Sequence, residues 1–393
     1  MSARPEASSI RPPAALREVV GLFLKLGFIG FGGPAAHVAL MRDEVVRRRK
    51  WVSEEGFLDL LGMTNLIPGP NSTEMAIHLG YVRAGWPGLV AAGACFIAPA
   101  MLIVLALAWA YVRYGAQPQV AWLLYGIKPV IIAIVVQATW ALLRAAVKSS
   151  LLAVVGAAVL GLSLIGANEI ALLFGGGLAM MLAGSVRRGW AGAAGAPLLM
   201  LLGGPGPAWA LAAGGAASAS LGTLFLTFLK IGAVLYGSGY VLLAFVRNDF
   251  VHRLGWLTDR QLLDAIAIGQ FTPGPVLTTA TFIGYVIGSW PGAVLATVGI
   301  FLPSFVFVAA SHPLIPKIRA SRLTAGFLDG VNVAALGLMA AVTWELARAA
   351  IVDGLTAVLA LLAAVLLIRF RANSVWLILG GGAMGIVYRL AVG

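Results

Sequence analysis

The sequence predicts an all-α polytopic membrane protein built from two homologous units. Three observations carry this. Of 393 residues, 60% are apolar and only 11% charged, too little charge to wet the surface of a soluble chain of this length. Many apolar runs reach or approach the ~20 residues that a helix needs to span a bilayer, and none shows the alternating short strands of a transmembrane barrel. The chain also writes one unit twice. Residues 22–105 overlay 227–309: Phe23-Leu24-Lys25-Leu26-Gly27 meets Phe228-Leu229-Lys230-Ile231-Gly232, Arg42 meets Arg247, and Trp51 meets Trp256. Likewise Asp59 meets Asp264, Pro68-Gly69-Pro70 meets Pro273-Gly274-Pro275, and Trp86-Pro87-Gly88 meets Trp290-Pro291-Gly292. Matching Trp, Pro, Lys and Arg marks duplication, because only Leu and Ala coincide through composition. The match continues through Trp140 and Trp344, Asn168 and Asn373, to the triplets Gly175-Gly176-Gly177 and Gly380-Gly381-Gly382.

In chain order, residues 1–18 read as an N-terminal tail rich in Pro and Arg, without the apolar core of a signal peptide. Residues 19–188 form the first transmembrane repeat and 219–393 the second. Between them, 189–218 is a Gly-, Ala- and Pro-rich linker, apolar enough for an interfacial helix. The first unit has apolar segments near 19–41, 55–82, 88–112, 119–146, 151–166 and 169–184. The second has them near 220–246, 260–286, 291–311, 323–349, 354–369 and 373–390. The last two of the first unit read as a hairpin turning at Ala167-Asn168-Glu169.

Basic residues beside apolar spans set orientation. The loop after segment three holds only Arg113 in the first unit, but Lys317, Arg319 and Arg322 in the second. The turn between segments five and six has no Lys or Arg in the first unit, and Arg369 and Arg371 in the second. After segment six the order reverses, Arg187 and Arg188 against Arg389. This alternation predicts inverted repeats, which require an odd number of crossings per unit, and segment two is the one expected not to cross. Against inversion, the loop after segment one is basic in both units. The lone Cys95 excludes a disulfide framework. The net charge of +12 lies in short loops at the spans, so it speaks for orientation in the lipid bilayer rather than for nucleic acid. No metal, phosphate-loop or nucleotide motif is present, so no cofactor and no enzymatic activity are expected, and oligomerisation is left open.

Each Pro-Gly-Pro stops a helix, since proline lacks an N–H and pushes the preceding residue out of the α region. The exposed N–H and C=O groups must then face protein or a watery cavity. Segment two therefore reads as half-helices near 54–67 and 71–83, folded as a hairpin about Pro68, Gly69 and Pro70, with Pro273, Gly274 and Pro275 as the matching break. Asn71 suits an N-cap and Glu74 the acid of a capping box. Free N–H groups at such a start favour anions, and discontinuous helices near the midplane hold substrate in secondary transporters. Hydroxyls follow both breaks, Ser72 and Thr73 in one and Thr278 and Thr279 in the other. Proline kinks made only for packing are the plainer alternative. Segment one has its own interruptions, at Gly32-Gly33-Pro34 and around Gly237, whereas Gly27 and Gly30 also suit close helix packing.

Lys25 and Lys230 stand at equivalent points of apolar runs. A lysine there costs roughly 3 kcal/mol, unless it snorkels to the interface; its alternative use is to attract an anion. Glu74 and His78 lie one turn apart, as a cap and its neighbour or as a proton-coupling pair. These residues, with "FGGPAAHVALMRDEVVRRRKW", "LIPGPNSTEMAIHLGY" and "AGWPG", resemble the chromate ion transporter family in its two-unit form. The second unit keeps Thr272-Pro273-Gly274-Pro275 but has Gly239 where Pro34 stands and lacks the Asn-Ser-Thr-Glu run. The resemblance implies efflux of chromate, with sulfate-like oxyanions as further candidates, across the cytoplasmic membrane. Expected ligands are Lys25, Gly32, Gly33, Asn71, Ser72, Thr73, Lys230, Gly237, Thr278 and Thr279, around one dianion held between the two breaks. An anion channel or importer, and a membrane enzyme using Glu74 and His78, are the competing readings.

Overall fold

The computed structural model describes residues 12–31, 33–186, 220–236, 239–311 and 322–392. The first unit comprises α1 (Pro12–Ile29), α2 (Gly33–Arg42), a π-helical stretch Asp43–Arg48, α3 (Glu54–Thr64), α4 (Asn71–Tyr114), α5 (Pro118–Ala146), α6 (Ser150–Leu164) and α7 (Glu169–Val186). The second comprises α8 (Leu221–Val234), α9 (Leu242–Val246), a π-helical stretch Arg247–Arg253, α10 (Asp259–Phe271), α11 (Thr279–Ser311), α12 (Arg322–Ala350), α13 (Gly354–Phe370) and α14 (Ser374–Val392). Helix α1 thus starts inside the stretch read as a tail, with its prolines in the first turn, where a missing N–H costs nothing. The expected linker lies outside the described residues.

Helix α4 is not one span. At Ala84 and Gly85 the backbone leaves helical geometry, Gly85 with φ +62°, and Gly80 then lies against the backbone of Gly88 and the side chain of Ala92. Such contacts require the arms 71–83 and 86–114 to run antiparallel. Pro87 follows the reversal, where a new helix accepts proline. Helix α11 repeats this at Gly288 and Ser289, with Gly284 against Gly292 and Ala296.

Segment one was expected to cross; it folds back instead. Helix α1 runs alongside the arm 86–114, with Glu18 paired to Arg83 at 2.7 Å and Gly27 against the backbone of Cys95 and Phe96. The chain then turns at Gly33 (φ +78°) and returns, so that Glu44 meets Lys25 at 2.6 Å. The guanidiniums of Arg49 and Arg83 stack on Trp51, which brings the end of segment one to the face where α1 began. The physical reason is charge: Arg42, Arg47, Arg48, Arg49 and Lys50 cannot continue into lipid. Segments one and two are therefore both re-entrant hairpins, which leaves four segments rather than five to cross in each unit, so the odd count expected within a unit is not met.

Equivalent helices of the two units run antiparallel. Gly93 faces the ring of Phe305, and Leu89 clusters with Val308. Lys148, beyond the end of α5, pairs with Asp329 near the start of α12 at 2.9 Å, while Tyr125 near the start of α5 donates to Asp353 beyond the end of α12. The two-fold relation therefore lies across the helix axes, and one unit is upside down relative to the other. At its end of the bundle Asp353 caps α13; the Thr356 amide and then the Tyr125 hydroxyl hold its carboxyl below the usual carboxylate range.

The units also exchange their last hairpins. Helices α6 and α7 pack on α12 of the other unit, and α13 and α14 pack on α5. The glycine triplets make this approach close: Gly126 lies on the backbone of Gly381 and Gly385, and Gly330 on that of Gly176 and Gly177. A Cβ at Gly126 would strike a backbone oxygen that cannot swing aside. Gly126→Ala is expected to destabilise the bundle by about 1–3 kcal/mol, read as a lower midpoint of denaturant unfolding in detergent; an unchanged midpoint would refute this packing. On the outside, Trp86, Trp140, Trp290 and Trp344 are exposed, as suits a lipid-facing surface.

Candidate functional site

At the first break Pro70, not Asn71, takes the N-cap position (φ −81°, ψ 101°). Asn71 Nδ2 instead donates to Asn65 Oδ1 at 2.6 Å, tying the half-helices together. Glu74 does not close a capping box. Its side chain turns inward, fully buried, and neither oxygen has a hydrogen-bond partner among the described residues. It lies against Gly69, where the Ser304 hydroxyl of the other unit also points. Thr73 and His78 are buried on the same half-helix. Ser72 meets His37 Nδ1 at 3.3 Å, and His37 Nε2 meets the Gly30 carbonyl at 2.9 Å. A carbonyl can only accept, so Nε2 carries the proton and Ser72 donates to Nδ1. His37 thus locks the tip of segment one to the start of the second half-helix.

The two breaks are seated reciprocally. Gly69 N–H donates to the Leu235 carbonyl at 2.7 Å, and Gly274 N–H donates to the Gly30 carbonyl at 2.7 Å. Gly274 (φ +90°) sits beside Ala100, as Gly69 (φ +143°) sits beside Ser304. Each break closes the open carbonyl end of the other unit's first helix. The Gly69 and Gly274 amides therefore serve the interface between the units; of the N–H groups after the breaks, those expected to face an anion, Thr73 donates to the Pro70 carbonyl at 2.8 Å and Thr278 to the Pro275 carbonyl at 3.0 Å. Thr278 and Thr279 donate to the carbonyls of Pro275 and Val276, each at 2.8 Å, so these hydroxyls serve their own turn.

Lys25 and Lys230 are both ion-paired, to Glu44 at 2.6 Å and to Asp249 at 2.5 Å. Each pair pins a returning hairpin and commits the ammonium to an acid, which is shared with Arg48 and Arg49 at Glu44 and with Arg253 at Asp249. Gly33 lines a cavity; Gly32 and Gly237 lie outside the described residues.

Among the described residues the two breaks adjoin different cavities. A cavity of about 530 Å³ adjoins the second break and is lined by Gln137, Gln270, Thr272, Arg371, Asn373 and Ser374 over Gly30 and Gly274. One of about 520 Å³ adjoins the first, with Asn65, Asn71, Lys148, Asp329 and Asn332. A third, of about 390 Å³, is lined by Tyr125, Lys128, Arg260 and Arg389; it is the two-fold counterpart of the second, at the opposite end of the bundle. Beneath it Lys128 meets Asp264 at 2.9 Å, and Tyr111 donates to the same carboxylate at 2.9 Å. Of these residues His37, Ser304, Lys128 and Arg371 were not expected at a site. No group of three or more His, Cys, Asp or Glu that could hold a metal occurs among the described residues.

The sequence pattern described as chromate transporter matches residues 17–182 and again 222–386. A chromate transport protein of Cupriavidus metallidurans is 34% identical over 95% of this chain and 93% of its own length. One of Pseudomonas aeruginosa is 34% identical over 96% and 93%, and a probable chromate transport protein of Synechococcus elongatus is 32% identical over 90% of each. No solved structure matches. With a doubled family match, near-full-length relatives and apolar helices long enough to cross a bilayer, the chain belongs to the chromate transporter family and is a multi-pass protein of the cytoplasmic membrane.

Proposed function

We propose that this protein is a secondary carrier that exports chromate, and sulfate-like dianions, from the cytoplasm by rocking its two inverted units. The observation that carries this reading is the reciprocal seating of the breaks on Gly30 and Leu235. Two equivalent latches across one interface can be released and remade in either direction, which is the geometry alternating access needs. The end bearing Arg42, Arg47, Arg48, Arg49, Lys50, Arg83 and Lys148 is the more basic and is assigned to the cytoplasm. The cavity at the first break opens toward that end, whereas the Lys128–Asp264–Tyr111 cluster lies between the breaks and the cavity at the other end. This arrangement fits a state loaded from inside.

Energetics favour export. Moving two negative charges outward through 100 mV, inside negative, releases about 4.6 kcal/mol, enough to hold a gradient of about three decades without proton entry. Glu74 is then dispensable for coupling, though not for packing. In proteoliposomes with pH equal on both sides, potential-driven chromate flux is expected to saturate, to show counterflow and to survive Glu74→Gln. Flux without saturation or counterflow would replace the carrier by a channel, and loss of flux in folded Glu74→Gln would make the carboxyl obligatory.

A further inference from the structure

We propose that the cavity beside the second break is an anion subsite in which Arg371 meets a tetrahedral dianion of the chromate or sulfate type; this deepens the carrier reading and rests on it. Among the described residues Arg371 is the one charged residue lining the cavity, and no carboxylate lines it. None of the ion pairs among the described residues engages Arg371. In this it differs from Lys25, Lys128, Lys148 and Lys230, each matched to an acid. Arg371 is exposed on its turn at the rim of this polar cavity, and a guanidinium so placed, with no acid beside it, has its natural complement in a mobile anion.

The surrounding groups are suited to donate. Asn373 Oδ1 accepts the Val375 N–H at 2.9 Å, which leaves its NH₂ for the cavity. The Gln137 amide and the Ser374 hydroxyl line the same space, whereas Thr272 spends its hydroxyl on the Ile268 carbonyl. The volume of about 530 Å³, against ~30 Å³ for a water in the liquid, admits an anion together with part of its hydration shell.

The backbone makes the arginine conspicuous. Arg371 closes α13 in the left-handed region at φ +53°. The equivalent turn of the first unit holds Gly166 at φ +87°, the residue that adopts this conformation without strain. The second unit keeps the turn and places a costly arginine in it, so the side chain has a use that the turn does not supply.

The equivalence also provides the test. Arg371→Gly removes the charge, relieves the backbone and reproduces what the first unit already carries, so the variant is expected to fold. Chromate flux in proteoliposomes is read together with the thermal shift that sodium sulfate or chromate induces in phospholipid-free detergent. The intact protein is expected to show a saturable flux and an anion-induced rise in Tm. Arg371→Gly is expected to raise KM at least about tenfold, as for a lost charge-assisted hydrogen bond, to keep Vmax within about twofold, and to lose the rise in Tm. An unchanged KM and an unchanged rise in the variant would overturn the subsite while leaving the carrier intact. A sulfate-induced rise that needs Arg371, in a protein that moves no chromate, would leave the subsite and sink the carrier. A rise seen only when phosphatidylglycerol is added, and never with sulfate, would make this a lipid headgroup site and overturn the proposal.

Discussion

Gly69→Ala is expected to abolish chromate flux while the protein still inserts in the membrane. Gly69 combines φ +143° with a site where a Cβ would overlap a Glu74 carboxyl oxygen and lie 2.7 Å from the Ser304 hydroxyl. The left-handed backbone alone costs of order 1–3 kcal/mol for any other residue, and overpacking adds a similar amount. The glycine also donates the latch to Leu235, so the strain falls on the contact that has to open and close. A flux at least ~100-fold below wild type follows from about 3 kcal/mol, measured per unit of folded protein. Gly33→Ala is the control. It too has a positive φ, +78°, but nothing lies within 4 Å of its Cβ, so flux should largely survive. Equal losses in the two variants would assign the effect to backbone strain and remove the steric role of Glu74 and Ser304.

Breaking the pair beneath the far cavity is expected to give the largest loss of stability. Lys128 and Asp264 are both buried and 2.9 Å apart. Removing one charge of such a pair strands the other, which costs about 3–5 kcal/mol, whereas replacing both with neutral groups is often close to neutral. Asp264→Asn keeps an oxygen for the Tyr111 hydroxyl but leaves Lys128 uncompensated, so its unfolding midpoint should fall sharply. The double variant Lys128→Met/Asp264→Asn should recover most of the loss. A double variant as unstable as the single would show that the two charges are not coupled.

The breaks could be read from the chain because proline and glycine act locally: Pro70 ends one helix and starts another whatever surrounds it. The duplication was equally plain, because Trp, Pro and Lys repeat at matched positions. What the breaks touch was hidden, since Leu235 and Ser304 belong to the other unit and nothing in their neighbourhood marks them. The lysines misled for a different reason. Their partners, Glu44 and Asp249, also stand at equivalent positions, each nineteen residues on, so a search for matched acids would have paired them. Lys128 was as visible as Lys25, within the apolar run Gly126-Ile127-Lys128-Pro129-Val130. Arg371 passed as an ordinary loop charge, because only the folded turn shows that its backbone is left-handed and its side chain borders a cavity.

The trading of terminal hairpins between the halves bears on how the molecule is made. While the ribosome has released only the first half, the smooth stripe at Gly176 has no Gly330 to rest on, and Gly126 has no Gly381. The early product is an unfinished socket, and assembly is completed only when the last helix, Ser374–Val392, arrives to fill the gap left in the first.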